Sequence, residues 1–360
     1  LVASLLANIC EIFSTGQQDF RTGGFIIPKA SGNKYVKITD QALQEALDDA
    51  KLKPDHRVGL VLGTSLADTT VFEKQFKDLI EKKDVTLNHS RLITGTMGYL
   101  AAHIQRKFKV SGPSYVISNT CVSGISAIGI GCHLINSGQV DYCIVGSVEI
   151  VGDLIYYGMK SLNALSASNK LKPFAAGRDG MVLGEGAGFL VLTNQKPKTS
   201  YGKILGYAIT NDGTHLTAPD REGRGLIKAM ERSMAMAEIK ANVLDCIFCG
   251  GTGTNYNDAM QALAIQYIER KSETPIPVTS IKPLIGHTLG ASGVIESIAA
   301  LIMMKEGWLI PPGSNYIVEP ELEPIPLLKK TYYGAIENSL LISSGFTGVN
   351  GALILRREGN

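Results

Sequence analysis

The chain has 360 residues, 44% of them hydrophobic and 19% charged, which suits two closely packed α/β units with a large core and excludes a disordered chain. A formal charge of +2, with no long run of Lys or Arg, gives no electrostatic footing for nucleic-acid binding. No apolar stretch reaches the ~18 residues that a membrane-crossing helix needs. The cysteines (Cys10, Cys121, Cys132, Cys143, Cys246 and Cys249) are scattered rather than paired, which points to a reducing cytoplasm.

The sequence starts at Leu1, and LLANICEIF reads as a helix with no strand before it, so a missing start is expected; the segment lacks the charged region and cleavage site of a signal peptide. ITDQALQEALDDAKL (38–52) has the Ala and Leu spacing of a helix. HRVGLVLGTS (56–65) and SYVISN (114–119) read as strands, and the second runs into TCVSGISAIGIGCHLINSG. That piece is small and apolar all round, which predicts a helix buried on every side. DYCIVGSVE (141–149), GAGFLVLTN (186–194) and ILGYAITND (204–212) are further strands. TNQKPKTSYG is the polar, Pro- and Gly-marked connection between the last two, so the halves are set at 1–195 and 196–360.

The second half repeats the style. GLIKAMERSMAMAEI (225–239) reads as a helix, LDCIFCGG as a strand and NDAMQALAIQYIERK as a helix. VTSIKPL leads to the glycine-rich IGHTLGASG, and VIESIAALIMMKEG forms a helix stopped by Gly307. SLLISSGFTGVNGALILRR ends the chain as two strands around a turn. Alternating strands and helices predict α/β layers with mainly parallel strands. No internal repeat is visible.

Cys121 stands at the junction of a strand and the inner helix. A helix N-terminus stabilises a thiolate, so a lowered thiol pKa is expected there, against the alternative of a structural core cysteine. His287 sits in a glycine-rich turn before a helix, where a core imidazole satisfied by backbone is the plain alternative. His215 lies in the polar turn NDGTHLTAPD. Cys246 and Cys249 form a C-x-x-C without a second pair at metal spacing, which reads as strand packing, so no metal site is expected. LGEGAG (183–188) has glycine spacing like a dinucleotide loop but runs into a strand instead of opening a helix. The methionines at 230, 234, 236, 303 and 304 read as core filling.

Together these pieces resemble the β-ketoacyl synthases, condensing enzymes of fatty-acid and polyketide synthesis with the thiolase fold. The resemblance runs from near Arg57 to the C-terminus. It is carried by GPSYVISNTCVSGISAIGIGCHLINSGQVDYCIVGSVE, KPFAAGRDGMVLGEGAGFLVL, SIKPLIGHTLGASGVIESIAAL and SSGFTGVNGALIL. It implies two similar halves in an α-β-α-β-α arrangement, with Cys121 in the first and His287 in the second. Cys121 is implied as the nucleophile that accepts an acyl chain from an acyl carrier protein. Its N–H and that of Phe346 are implied as the oxyanion hole, with Phe346 also gating the acyl pocket. The resemblance further assigns His287 to the malonyl thioester carbonyl, Lys282 and Glu296 to a buried ion pair, and Asp258 and Asn350 to supporting roles. No cofactor is implied, because the carrier protein's phosphopantetheine arm arrives with the substrate. A homodimer, or a heterodimer with another ketosynthase subunit, is also implied.

The chain departs from the family pattern at one chemical position. Where the family has a second histidine before G-T-G-T, this sequence has Gly250, followed by Gly251, Thr252, Gly253 and Thr254. Ala175 stands where the family has Asp, Ser344 replaces a phenylalanine, and Thr347 replaces a glycine. Loss of one preorganised donor predicts a decarboxylation step slowed by about a hundredfold or more, with acyl transfer less affected. Three readings follow: an acyl-accepting transferase with impaired elongation, a partner subunit like a chain-length factor, and an orthodox condensing enzyme. In the last, His215 or a water in the space beside Gly250 stands in for the missing ring.

Overall fold

The computed structural model describes residues 33–52, 56–81, 89–195, 200–313 and 317–358. The expected LLANICEIF helix lies outside them. In chain order the first half holds α1 (Lys34–Ala50), β1 (Val58–Gly63), α2 (Thr70–Ile80), α3 (His89–Ile93), α4 (Met97–Phe108), β2 (Ser114–Ile117), α5 (Ser123–Asn136), β3 (Tyr142–Glu149), α6 (Asp153–Ser161) and β4 (Gly186–Thr193). The second half holds β5 (Lys203–Asn211), α7 (Arg224–Met236), β6 (Cys246–Phe248), α8 (Asn255–Glu269), β7 (Val278–Thr279), α9 (Lys282–Ile285) and α10 (Ser292–Glu306). It ends with β8 (Trp308–Leu309), β9 (Tyr332–Tyr333), β10 (Asn338–Ser344) and β11 (Val349–Arg356).

One sheet has the order β2-β1-β3-β4 and the other β5-β11-β10-β6-β7. Strand periodicity sorts the side chains into layers. Leu60, Leu62 and Ile144 pack outward with Leu43, Leu100 and Ile104 of α1 and α4, while Val61 and Val145 face inward onto Ile125, Ile128 and Val294. In the other sheet Leu340, Ile342 and Ile354 face Leu226, Met230 and Ile265 of α7 and α8, and Leu341 and Leu353 face the same inner layer from the opposite side. The result is α-β-α-β-α, with α5 and α10 as the middle layer.

The strands are less parallel than their alternation with helices predicts. β2-β1-β3 and β10-β6-β7 are parallel, whereas β3-β4, β10-β11 and β11-β5 are antiparallel. The connection from β10 to β11 is too short for a crossover, so those strands can only run antiparallel. Met230, Met234, Met303 and Met304 are buried as expected, but Met236 at the end of α7 is 49% exposed.

Two glycines bring the middle helices together. A Cβ on Gly124 would lie 2.7 Å from the Val294 backbone N, and one on Gly293 would lie 2.6 Å from the Ile125 backbone N. The first turns of α5 and α10 therefore touch backbone to backbone. This contact brings the segment before α5, with Cys121, beside the segment before α10, with His287.

Candidate active site

Cys121 ends a tight turn. Thr120 takes φ 48°, Val122 N–H donates to Asn119 O at 3.1 Å, and the Ser123 hydroxyl donates to Thr120 O at 2.6 Å. Gly345 packs against this turn so closely that a Cβ there would collide with Thr120 Oγ1 and lie 3.1 Å from the Cys121 backbone N. Phe346 follows directly, between Gly345, whose N–H donates to Val349 O, and Thr347, whose N–H donates to Leu216 O. The implied pair of oxyanion amides thus belongs to two segments in contact.

The thiol pKa moves opposite to expectation. Cys121 is partly open to a cavity, yet the protein around its sulfur pushes it up to about 11 by desolvation; Lys282 pulls it down, and Glu149 and Glu296 push it further up. The inner helix begins only at Ser123, and burial outweighs its N-terminus. The resting group is a protonated thiol.

His287 is 3% exposed. Burial, with Lys282 nearby, holds its pKa well below the usual imidazole value, so the ring is neutral. Leu289 N–H donates to Nδ1 at 3.3 Å, and the Ser292 hydroxyl lies 3.1 Å from the same nitrogen. An Nδ1 that accepts leaves the proton on Nε2, so the ring is fixed as an Nε2–H donor. Beside it, Lys282 and Glu296 form a buried ion pair. Burial raises the Glu296 pKa, and Lys282 opposes that shift.

The turn after β6 keeps its backbone but holds no imidazole. Asp258, fully buried, accepts N–H groups from Phe174 at 2.8 Å, Thr252 at 3.0 Å and Gly253 at 3.2 Å. Burial raises its carboxyl to about 6 against these donors and Arg178. Gly250 itself lies off the cavity wall. A Cβ there would fall 2.5 Å from Nε2 of Gln261, a fully buried side chain whose Oε1 accepts from Gly251 N–H at 3.1 Å. The expected space for a water beside Gly250 is therefore corrected: a carboxamide fills it.

Cys121, His287, Phe346 and Asn350 line one cavity of about 880 Å³, together with Thr252, Thr254 and Asn257 of the altered corner. Lys282, Glu296 and Asp258 stand behind the wall. Asn350 donates to Asp212 Oδ1 at 2.7 Å and accepts from the Ser344 hydroxyl at 2.8 Å. His215 also lines the cavity, its Nδ1 accepting from Thr217 and Ala218 N–H at 3.1 Å each. Ala175 is fully buried. Cys246 and Cys249 are buried in and just after β6, and no group of metal-ligating side chains occurs among the described residues. No helix among those residues is long and apolar enough to cross a membrane.

Gln261, Asp212 and Ser292 were not singled out from sequence. Gln261 lies on α8 ten residues after Gly251, and because Gly251 stands outside that helix no sequence spacing marks the pair.

Residues 9–198 match the family described as "Beta-ketoacyl synthase, N-terminal domain", and residues 201–316 match "Beta-ketoacyl synthase, C-terminal domain". The chain is 28% identical to the tetracenomycin polyketide synthase ketoacyl synthase alpha subunit of Streptomyces glaucescens, covering 95% of this chain and 86% of that one. It is also 28% identical to 3-oxoacyl-(acyl-carrier-protein) synthase 2 of Staphylococcus aureus, covering 90% and 82%. A ketosynthase from Xenorhabdus doucetiae, solved in complex with its chain length factor, superposes with a TM-score of 0.81 at 26% identity, covering 93% of this chain and 86% of that one.

Proposed function

The chain belongs to the beta-ketoacyl synthase family, and on that premise we propose that it is an acyltransferase of fatty-acid or type II polyketide biosynthesis with impaired elongation. It takes an acyl chain from an acyl carrier protein onto Cys121. The observation that carries this reading is the asymmetry of the cavity: Cys121 and a neutral Nε2–H imidazole line it together, while Gly250 brings no side chain to it and the buried Gln261 amide packs where a side chain at 250 would start.

Attack of Cys121 sulfur on the thioester carbonyl puts negative charge on the carbonyl oxygen, where the N–H groups of Cys121 and Phe346 stabilise it. Collapse expels the carrier's thiolate, which takes up the proton that Cys121 gives. A thiol pushed up to about 11 is rarely ionised at rest, so the departing carrier thiolate matters as the destination of the Cys121 proton. Decarboxylation of a malonyl group has one donor, His287, where the family pattern supplies two. A missing donor of this kind costs about 3–4 kcal/mol, or roughly a hundredfold to a thousandfold in rate.

A second subunit fits the edge of the first sheet. β2 is an edge strand and its Tyr115 is 43% exposed. Paired with the likeness to a ketosynthase solved with its chain length factor, this supports assembly as a homodimer or with another ketosynthase subunit. The carrier protein brings the phosphopantetheine arm, and no resident cofactor is proposed.

Incubation with an acyl carrier protein bearing a short acyl chain, then intact-protein mass spectrometry, tests the reading. A mass gain that Cys121→Ala abolishes, without β-ketoacyl product when malonyl carrier protein is added, is expected. Rapid product formation would overturn the impaired-elongation part. No adduct would overturn the acyltransferase part and favour a partner subunit.

A further inference from the structure

Glu149 closes β3, is fully buried and takes part in none of the steps above. Its Oε1 accepts from the Ser65 backbone N–H, from the Ser65 hydroxyl at 2.7 Å and from the Thr64 hydroxyl at 3.1 Å. The Gly290 N–H also faces the carboxylate, and a Cβ on Gly290 would lie 2.7 Å from Oε1. Oε2 is buried without a hydrogen-bond partner. An ionisable group left half satisfied in a core is expensive, and its surroundings point to a use.

Both ends of this node reach the site. Thr64 N–H donates to Ile117 O at 3.1 Å, the Ser118 hydroxyl donates to Ser65 O at 2.9 Å, and the Ser123 hydroxyl lies 3.3 Å from Thr64 O. Residues 64–65 are thus bonded to the segment that carries Cys121. On the other side Gly290 follows Leu289, whose N–H fixes the His287 ring. We infer that Glu149 is a positioning residue that joins the Cys121 and His287 segments and, through its own protonation, modulates how readily the Cys121 thiol ionises.

Burial raises the Glu149 carboxyl to about 7, against donors from Ser65, Thr64 and Gly290. Its charge is among the influences that push Cys121 up, alongside Glu296 and opposed by Lys282. Tyr35 of α1 also faces it: burial raises that phenol, and the charges of Glu149 and Asp68 raise it further. Asp68 has its own carboxyl raised by burial. The sign follows directly. As pH rises, Glu149 ionises, a negative charge appears within electrostatic reach of the sulfur, and the thiol becomes harder to ionise. The logarithm of the Cys121 alkylation rate should climb with pH, bend downward near 7, and then resume its climb.

The inference rests on reading Cys121 as the acylated nucleophile, but alkylation by iodoacetamide needs no acyl donor, so failure of acyl loading and failure of the Glu149 role are read separately. The full chain is alkylated between about pH 6 and about pH 9, and modification of the Cys121 peptide is followed by mass spectrometry. Glu149→Gln should match the native rate at the acidic end, lose the bend, and react roughly threefold to tenfold faster at the basic end, the thiolate gain for half to one unit of thiol pKa. Ser65→Ala removes one donor that favours the carboxylate, so the bend should move to higher pH while persisting. A native profile without a bend, a bend that survives Glu149→Gln, or one that Ser65→Ala leaves in place would each overturn the inference. The native and Ser65→Ala profiles decide it if Glu149→Gln fails to fold.

Discussion

Two short strands of the second sheet, β6 and β7, each deliver the chain to a corner of the site, and the corners differ in what fills them. After β7 come the Lys282–Glu296 pair and a neutral ring locked by Leu289 and Ser292. After β6 come a glycine, a carboxamide packed where a side chain would start, and a carboxylate that gathers three backbone N–H groups. The second corner keeps its turn without its imidazole because Asp258, not the residue at 250, holds the backbone. Chemistry and scaffolding are carried by different side chains, so one can be lost without the other.

The sharpest way to break the intact corner is to remove one member of its ion pair. Glu296→Ala leaves the buried Lys282 ammonium unpaired and should cost about 3–5 kcal/mol. Urea unfolding would measure it. Lys282→Met with Glu296→Leu should recover most of that loss, because an apolar pair needs no compensation. A single variant as stable as the native protein would mean that the pair does not anchor the His287 corner.

The altered corner is tested by refilling it. Gly250→His drives a Cβ into the Gln261 amide and should cost about 1–3 kcal/mol by overpacking. Gln261→Ala alone strands the Gly251 N–H, at about 1–3 kcal/mol. Combined, the two changes should be less destabilising than their sum by about 1 kcal/mol or more, since the second relieves the first. The double variant should also decarboxylate malonyl carrier protein at least about tenfold faster than the native chain, part of the range that one oxyanion donor commands. Simple additivity would show that Gln261 does not occupy the histidine's place.

Much of this comparison is legible in the sequence. The all-round apolar segment 124–136 could only be an inner helix, Gly307 does stop α10 in the left-handed conformation, and the motif residues fall on the cavity or directly behind it. Three things are not legible there. The direction of the Cys121 pKa depends on how much protein surrounds the sulfur, which is a sum over α5, α10 and the 345–346 turn and not a property of its own helix. The filling beside Gly250 depends on the rotamer of a residue on the next helix. Glu149 looked like the end of a strand, and its partners Ser65 and Gly290 are far from it in sequence.

The smallest effect concerns the turn between β10 and β11, where Thr347 stands at φ 67°. A β-branched residue rarely takes this conformation, and holding one there costs about 1–3 kcal/mol. Its side chain is exposed, and the bonds it makes run through its backbone: N–H to Leu216 O, and C=O from the Asn211 amide at 3.0 Å. Thr347→Gly keeps both and removes the strain, but adds freedom to the unfolded chain worth about 0.4–1 kcal/mol. The net should be a gain of about 0–2.5 kcal/mol, a rise in urea midpoint without a change in slope. A loss of stability instead would mean that the threonine side chain itself braces the turn that carries Phe346.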